Sequence, residues 1–210
     1  MSEPLVSKHS IPVVDMAHHA DPSRRAAFVQ ALGRGLSECG FVAVQNHGVD
    51  LPLIAQAYDT ARALFALPVD TKRLYETPEN GRQRGYTSFG VEHAKHTSVP
   101  DLKEFWHVGR TLPDGHRLHG SGDVPPNLWP EELPVFKDTF MTLFDDMDDF
   151  AFRLLASFGE YLGLPQDYFE RLCHNGNSVM RLIHYPDIEG SMQGMVRAAA
   201  HEDINLITVL

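Results

Sequence analysis

Cysteine is nearly absent: Cys39 and Cys173 are the only two in 210 residues. That excludes a disulfide framework and a thiolate zinc site. No apolar run approaches the roughly 20 residues that a spanning helix needs, so no membrane segment is expected. Met1 to Ser10 is polar and lacks the apolar core of a signal peptide, which makes a cytoplasmic location the default expectation. Basic residues are also in deficit, with 18 Lys and Arg against 28 Asp and Glu and a formal net charge of -10. Nucleic acid and anionic membranes repel such a surface and are not expected as partners. There is no internal repeat and no low-complexity tract. What is present is ordinary for a globular chain, 43% hydrophobic and 22% charged, and suits one domain or one domain with a sizeable extension.

Periodicity supplies the elements. Ile11 to Asp15 reads as a short strand, with Pro12 marking an edge or a strand start. Asp21-Pro22 opens a helix, with Asp21 as N-cap, and Phe28, Leu32, Leu36 and Cys39 form its apolar face. Gly40 ends it, Phe41 to Val44 has a buried-strand pattern, and Gln45 to Gly48 is a turn. A second amphipathic helix is predicted over Leu51–Phe65, with Ile54, Tyr58, Ala61 and Phe65 in register. From Glu76 to Asn127 the helical period is lost, although Glu104 to Val108 is strand-like. The longest helix runs from about Leu133 to Leu162 on a stripe of Phe136, Phe140, Leu143, Met147, Phe150, Leu154, Phe158 and Tyr161. Pro165 opens a short helix to Leu172, Ser178 to Tyr185 is a strand, Pro186 to Gly194 a loop, and Ile204 to Leu210 another strand. A β core that begins near residue 178 and ends at Leu210 would leave an unpaired apolar edge. The expectation is therefore the front portion of a longer protein.

His201-Glu202-Asp203 places an imidazole and a carboxylate two residues apart. On a strand both would share one face, and such a pair with open positions left over suits Fe(II) in a two-His, one-carboxylate arrangement. Spacing alone is weak, because His19-Ala20-Asp21 has it too, there with Asp21 in a capping role. Other clusters have plainer readings. His47, in a tight turn, is expected to bond nearby backbone, and His93 and His96 to be loop histidines. Asp145, Asp146, Asp148 and Asp149 fall off the apolar stripe and read as a solvated helix face. Arg82 and Arg84 are loop cations that either meet an anionic substrate or are simply solvated. Arg181 shares a strand face with Ile183 and Tyr185, which opens a pocket role to it.

Segments in order resemble the non-haem Fe(II), 2-oxoglutarate-dependent dioxygenase superfamily, in the branch of isopenicillin N synthase and plant flavonoid oxygenases. They are Ile11 to Asp15, Gly40 to Val49, Phe65 to Pro68 with Lys72, Arg84 to Tyr86, and Asp101 to Phe105. Trp129-Pro130 with Pro134 to Phe136, Arg181 to Pro186, and Ala200 to Asp203 running into Leu206 to Leu210 complete the series, which spans essentially the whole chain. The resemblance implies an α+β fold with a double-stranded β-helix (jelly-roll) core, here lacking its C-terminal strands, behind a helix-rich N-terminal region. It divides the chain into an N-terminal dioxygenase region, 1–127, and a long supporting helix with the first part of the jelly roll, 128–210.

It also implies that His201 and Asp203 are iron ligands, and that Tyr185 touches 2-oxoglutarate, with Arg181 beside it. The family often has Asn where Ile183 stands, so this chain departs from part of the co-substrate contact. The third ligand would be a later histidine followed by Arg-x-Ser, yet His201 is the last histidine of this chain. The cofactors implied are Fe(II), 2-oxoglutarate and O2, with hydroxylation, desaturation or ring closure of a small-molecule substrate, giving succinate and CO2. Two alternatives stay open: a non-catalytic fragment or degenerate member that acts as a binding module, and an iron oxidase independent of 2-oxoglutarate. Nothing in the sequence assigns the substrate or an oligomeric state.

Overall fold

The structure, a computed structural model, describes residues 10–92, 101–118, 122–187, 196–201 and 203–210. The chain groups into two units, 1–49 with 149–174, and 50–148 with 175–210.

In the first unit, β1 (Val13–Asp15) pairs in parallel with β2 (Ala43–Gln45), bringing Val14 opposite Val44. Helix α1 (Arg25–Glu38) buries Phe28, Val29 and Leu32. It starts later than the Asp-Pro pair suggested. The Asp21 carboxylate takes the Ser23 N–H and hydroxyl in a local turn, leaving Arg24 as the cap residue. Gly33 is required where α1 passes the Tyr161 ring, since a Cβ there would overlap it. Phe41 is 62% exposed and β2 is at most half covered, so the expected buried strand is a surface strand. The short helix α5 (Tyr168–Cys173) buries Phe169. Helix α4 (Phe136–Tyr161) runs through both groups of residues and keeps nearly the span its apolar period predicted.

The second unit holds the larger core. Helix α2 (Leu51–Phe65) carries Pro52 in its first turn, with the Ile54 N–H on Asp50 O, the span expected from sequence. Its buried face is rotated, however: Ala57, Thr60, Leu64 and Phe65 face inward, while Tyr58 is 65% exposed. The small Ala57 and Thr60 allow the close approach that Tyr58 would prevent. Helix α3 (Val69–Arg73) follows Pro68. Strands β3 (Gly85–Thr87), β4 (Glu104–Gly109) and β5 (Val179–His184) form an antiparallel sheet with β4 in the middle. Trp106 lies opposite Tyr86 on one side and Leu182 on the other. On this face Trp106, Tyr86, Leu64, Phe136, Phe140 and Leu182 make one cluster, with the Trp106 and Phe136 rings edge-on at 5.4 Å. No helix among the described residues is long and apolar enough to cross a membrane.

The expected strand from Ile204 to Leu210 is absent: these residues adopt no regular structure, and Ile204 and Leu210 are fully exposed. A strand needs a ladder partner, and none among the described residues lies beside it. Pro186 and Asp187 are loop as expected, and the rest of that loop up to Gly194 lies outside the described residues.

Glu104 sits on the core face of β4 and ties the unit together. Its Oε2 takes Lys72 Nζ at 2.8 Å and the Tyr86 hydroxyl, and its Oε1 takes His184 Nδ1 at 2.7 Å. Lys72 also donates to Phe65 O, the end of α2, at 2.9 Å. Burial pushes the Glu104 carboxyl up, but the bonds from Lys72, Tyr86 and His184 more than offset it and hold it below the usual range. Burial, then Glu104 itself, pushes the Tyr86 phenol up, so it remains a donor. With a lowered folded pKa, the stability tied to Glu104 is complete above about pH 4.5 and is lost as pH falls through the folded value. Glu104→Gln, which leaves Lys72 buried without its counter-charge, is expected to cost about 3–5 kcal/mol in urea unfolding at pH 7. It should also flatten the acid limb of the stability profile; an acid limb as steep as in the parent chain counts against the assignment.

Candidate metal and co-substrate site

The opposite face of the sheet is polar. Phe105 and His107 project there, paired with Ile183 and Arg181 of β5. The Arg181 guanidinium lies over the Phe105 ring, 4.4 Å from its centroid. Its Nε donates to His107 Nε2 at 2.7 Å, and Nη1 pairs with Glu92 at 3.1 Å. His107 Nδ1 lies 2.8 Å from Arg82 O. A carbonyl only accepts, so Nδ1 carries the proton and Nε2 offers its lone pair to Arg181. His107 is 7% exposed, and burial, followed by the Arg181 charge, lowers its pKa to about 4. The imidazole is therefore neutral at pH 7.

From Arg181 a line of alternating charges runs along the same side. Glu92 meets Lys103 Nζ at 2.7 Å, and Lys103 meets Asp101 at 2.9 Å. Asp101 and Lys103 are both buried. Burial drives the Asp101 carboxyl up and the Lys103 ammonium down, yet their hydrogen bonds win, leaving Asp101 lowered and Lys103 raised. Asp101 Oδ1 then accepts the Ala199 N–H at 3.0 Å, and Leu102 N–H donates to Val196 O at 3.0 Å. These bonds moor residues 196–201 to the start of β4.

His201 stands at the end of that mooring. Its Nδ1 donates to Ala199 O at 2.8 Å, which leaves Nε2 3.5 Å from Asp203 Oδ1. The other Asp203 oxygen, Oδ2, takes the Thr208 hydroxyl at 2.9 Å, and Asn205 Nδ2 donates to that hydroxyl at 2.8 Å. The two residues are thus brought together by a hydrogen-bonded turn, not by the shared strand face expected. Each side chain is about half exposed. The set fits an Fe(II) site: one imidazole nitrogen and one carboxylate oxygen converge, and each is oriented through its second polar atom, as is usual for ligands. Two atoms bound about 2.1 Å from one ion at right angles stand about 3 Å apart, close to the separation here. Among the described residues no group of three His, Cys, Asp or Glu side chains is gathered.

Arg181 and Ile183 share a side of β5, opposite His107 and Phe105. Tyr185 follows the strand; it is 39% exposed, and its carbonyl takes Arg197 Nη1 at 3.2 Å. His47 Nδ1 accepts the Val49 N–H at 3.1 Å, the local backbone role expected of it. His19 packs edge-on to Phe28 and Asp21 serves its turn, so that second His-x-Asp pair is structural. His93 and His96 lie outside the described residues. Two expectations are corrected. Asp148 is not simply solvated: Arg110 Nη2 reaches its two oxygens at 2.7 and 2.9 Å, a partner the helix period could not reveal. Arg84 is neither solvated nor exposed to a substrate, because it is fully buried with Nη2 on Asn177 Oδ1 at 2.7 Å. Sequence reasoning missed His107, Glu92, Lys103 and Asp101. The signal was available in part, since Asp101, Lys103, Phe105 and His107 alternate in sequence into and along β4.

Residues 11–132 match the family described as non-haem dioxygenase in morphine synthesis N-terminal. Proline hydroxylase buaE of Petromyces alliaceus is 31% identical over 90% of this chain and 59% of its own length. A 2OG-Fe(II) oxygenase family protein from Caulobacter crescentus superposes with a TM-score of 0.80 at 40% identity, over 93% of this chain and 62% of that one. A full-length Neurospora crassa protein solved in complex with alpha-KG superposes with a TM-score of 0.75 at 27% identity, over 92% and 61%. The chain thus spans about three-fifths of the relatives it matches. With its N-terminal residues in the family pattern and its fold shared with 2OG-Fe(II) oxygenases, the chain belongs to the non-haem Fe(II)/2-oxoglutarate dioxygenase superfamily.

Proposed function

We propose that this chain is part of an Fe(II)- and 2-oxoglutarate-dependent oxygenase that hydroxylates, desaturates or cyclises a small organic substrate, releasing succinate and CO2. The observation that carries this is the convergence of His201 Nε2 and Asp203 Oδ1, at 3.5 Å, on a segment moored to the sheet. His201 and Asp203 would hold Fe(II), with the third ligand supplied by a further histidine. Fe(II), when bound, supplies the redox chemistry that couples reduction of O2 to oxidation of 2-oxoglutarate and substrate. The protein's own residues set the geometry. Thr208 turns the Asp203 carboxylate so that one oxygen faces His201, and Ala199 O fixes the ring tautomer. Tyr185 and Arg181 would meet 2-oxoglutarate from the polar side of β5. In this reading 1–127 is the N-terminal region, and 128–210 carries the long helix and the opening of the jelly-roll core. The proline hydroxylase, and the Neurospora crassa protein, which was also solved with thymine, support a small-molecule substrate.

His201→Ala is expected to abolish saturable Fe(II) binding in an anaerobic titration; binding at the parent affinity would sink the reading. Asp101→Ala, which releases the Ala199 N–H, should weaken Mn(II) binding about 10-fold by EPR titration, although Asp101 is not a ligand. An unchanged Mn(II) affinity would show that the mooring does not position His201.

A further inference from the structure

Arg181 is held differently from Lys72, Lys103, Arg84 and Arg110 of the second unit. Lys72 and Lys103 are engaged in buried bonds to Glu104 and to Glu92 with Asp101. Arg84 is enclosed, and Arg110 is committed to Asp148. Arg181 is fixed at Nε and Nη1 and is stacked on Phe105, yet its side chain is 37% exposed. Among the described residues its Nη2 donates to nothing. A guanidinium held at Nε and Nη1 and stacked on a ring, with no partner at Nη2 among the described residues, has that nitrogen available to a carboxylate.

We propose that His107 is a positioning residue: by accepting the Arg181 Nε–H on its buried imidazole, it aims the Arg181 Nη2 at the carboxylate of a small organic acid. Where that acid is 2-oxoglutarate or the substrate, the inference rests on the oxygenase reading above; the positioning itself does not. The neutral acceptor matters because any cation at position 107 would repel Arg181 and any donor would face its N–H. The groups bearing on the imidazole are Arg181 from β5, Glu92, Arg84 and the Arg82 carbonyl. Burial and Arg181 keep it unprotonated down to about pH 4. Glu92 cannot replace it, because that carboxylate is shared with Lys103.

The test is NMR on the 210-residue chain at pH 7, with acetate as the carboxylate probe and acetamide as its neutral counterpart, read at the Ile183 amide. Acetate should shift that amide saturably and acetamide should not. His107→Leu should weaken acetate about fivefold, while His107→Gln, which keeps a carbonyl acceptor, should stay within about twofold. In an Arg181→Gln background His107→Leu should change nothing further. Equal responses to the two probes, or an equal loss in both backgrounds, overturn the proposal. Should His107→Leu not fold, the tautomer of the parent imidazole decides, and an Nε2–H form overturns it. Displacement of acetate by 2-oxoglutarate identifies the co-substrate as the acid received; persistence of acetate binding under saturating 2-oxoglutarate identifies the substrate. Mn(II) broadening of His201 in the same samples separates the two readings. Its absence with an intact acetate response sinks the iron site alone, and the reverse sinks the role of His107 alone.

Discussion

The larger unit depends on one buried carboxylate. Glu104 collects Lys72 from α3, Tyr86 from β3 and His184 from β5, and Lys72 also closes the last turn of α2. A charge so enclosed is tolerable only if its oxygens are satisfied, and each donor comes from a different element. Apolar packing around Trp106 would accept several registers of these pieces; three directional bonds to one carboxylate accept far fewer. The Phe65 ring stacked on His184 at 5.1 Å adds a lid on the same point. Register is what this cluster supplies, and register decides which residues appear on the far side of the sheet.

Because β4 alternates, fixing Glu104, Trp106 and Val108 inward places Phe105 and His107 outward, with Lys103 and Asp101 continuing that side just before the strand. A slip of one residue would bury His107 among the aromatics and turn Trp106 toward Arg181. The outward side is itself largely covered, which is why its polar groups pair in sequence. Arg181, Glu92, Lys103 and Asp101 alternate in sign, and the line ends on the Ala199 N–H. Mechanically, the backbone that orients His201 is attached to the residues leading into the strand that pairs with Arg181.

Elements with a long, one-sided apolar period were readable from sequence: α4 on its phenylalanine stripe, and α2 between Pro52 and Phe65. The turn role of His47 was equally readable, because a histidine beside a glycine in a tight turn meets its own backbone first. Contacts set by remote residues were not. Tyr58 matches the period of α2 yet faces out, since the inward side needs small residues at Ala57 and Thr60. Asp148 reads like its acidic neighbours until Arg110 arrives from the end of β4. Arg84 looks like a loop cation, but it lies against Gly109, where a Cβ would overlap its guanidinium, and it is buried whole. A glycine at the far end of another strand carries that information, and no local pattern links the two.

The candidate iron pair shows the same division. Strand alternation offered a reason for His201 and Asp203 to face one ion, and that reason does not operate, because 204–210 forms no strand. The residues converge nonetheless. Ala199 O holds the His201 ring by Nδ1, and the Thr208 hydroxyl holds the far Asp203 oxygen. Both are side-chain bonds closed within five residues, and they bring one imidazole nitrogen within 3.5 Å of one carboxylate oxygen without help from a ladder. Local orientation of that kind fixes the pair relative to itself; Asp101 through Ala199, with Leu102 on Val196 O, ties it to the strand paired with Arg181. The spacing His-x-Asp is therefore permissive, and the Asp101–Lys103–Glu92 line, through Asp101 and the Ala199 N–H, ties the pair to the residues just before β4.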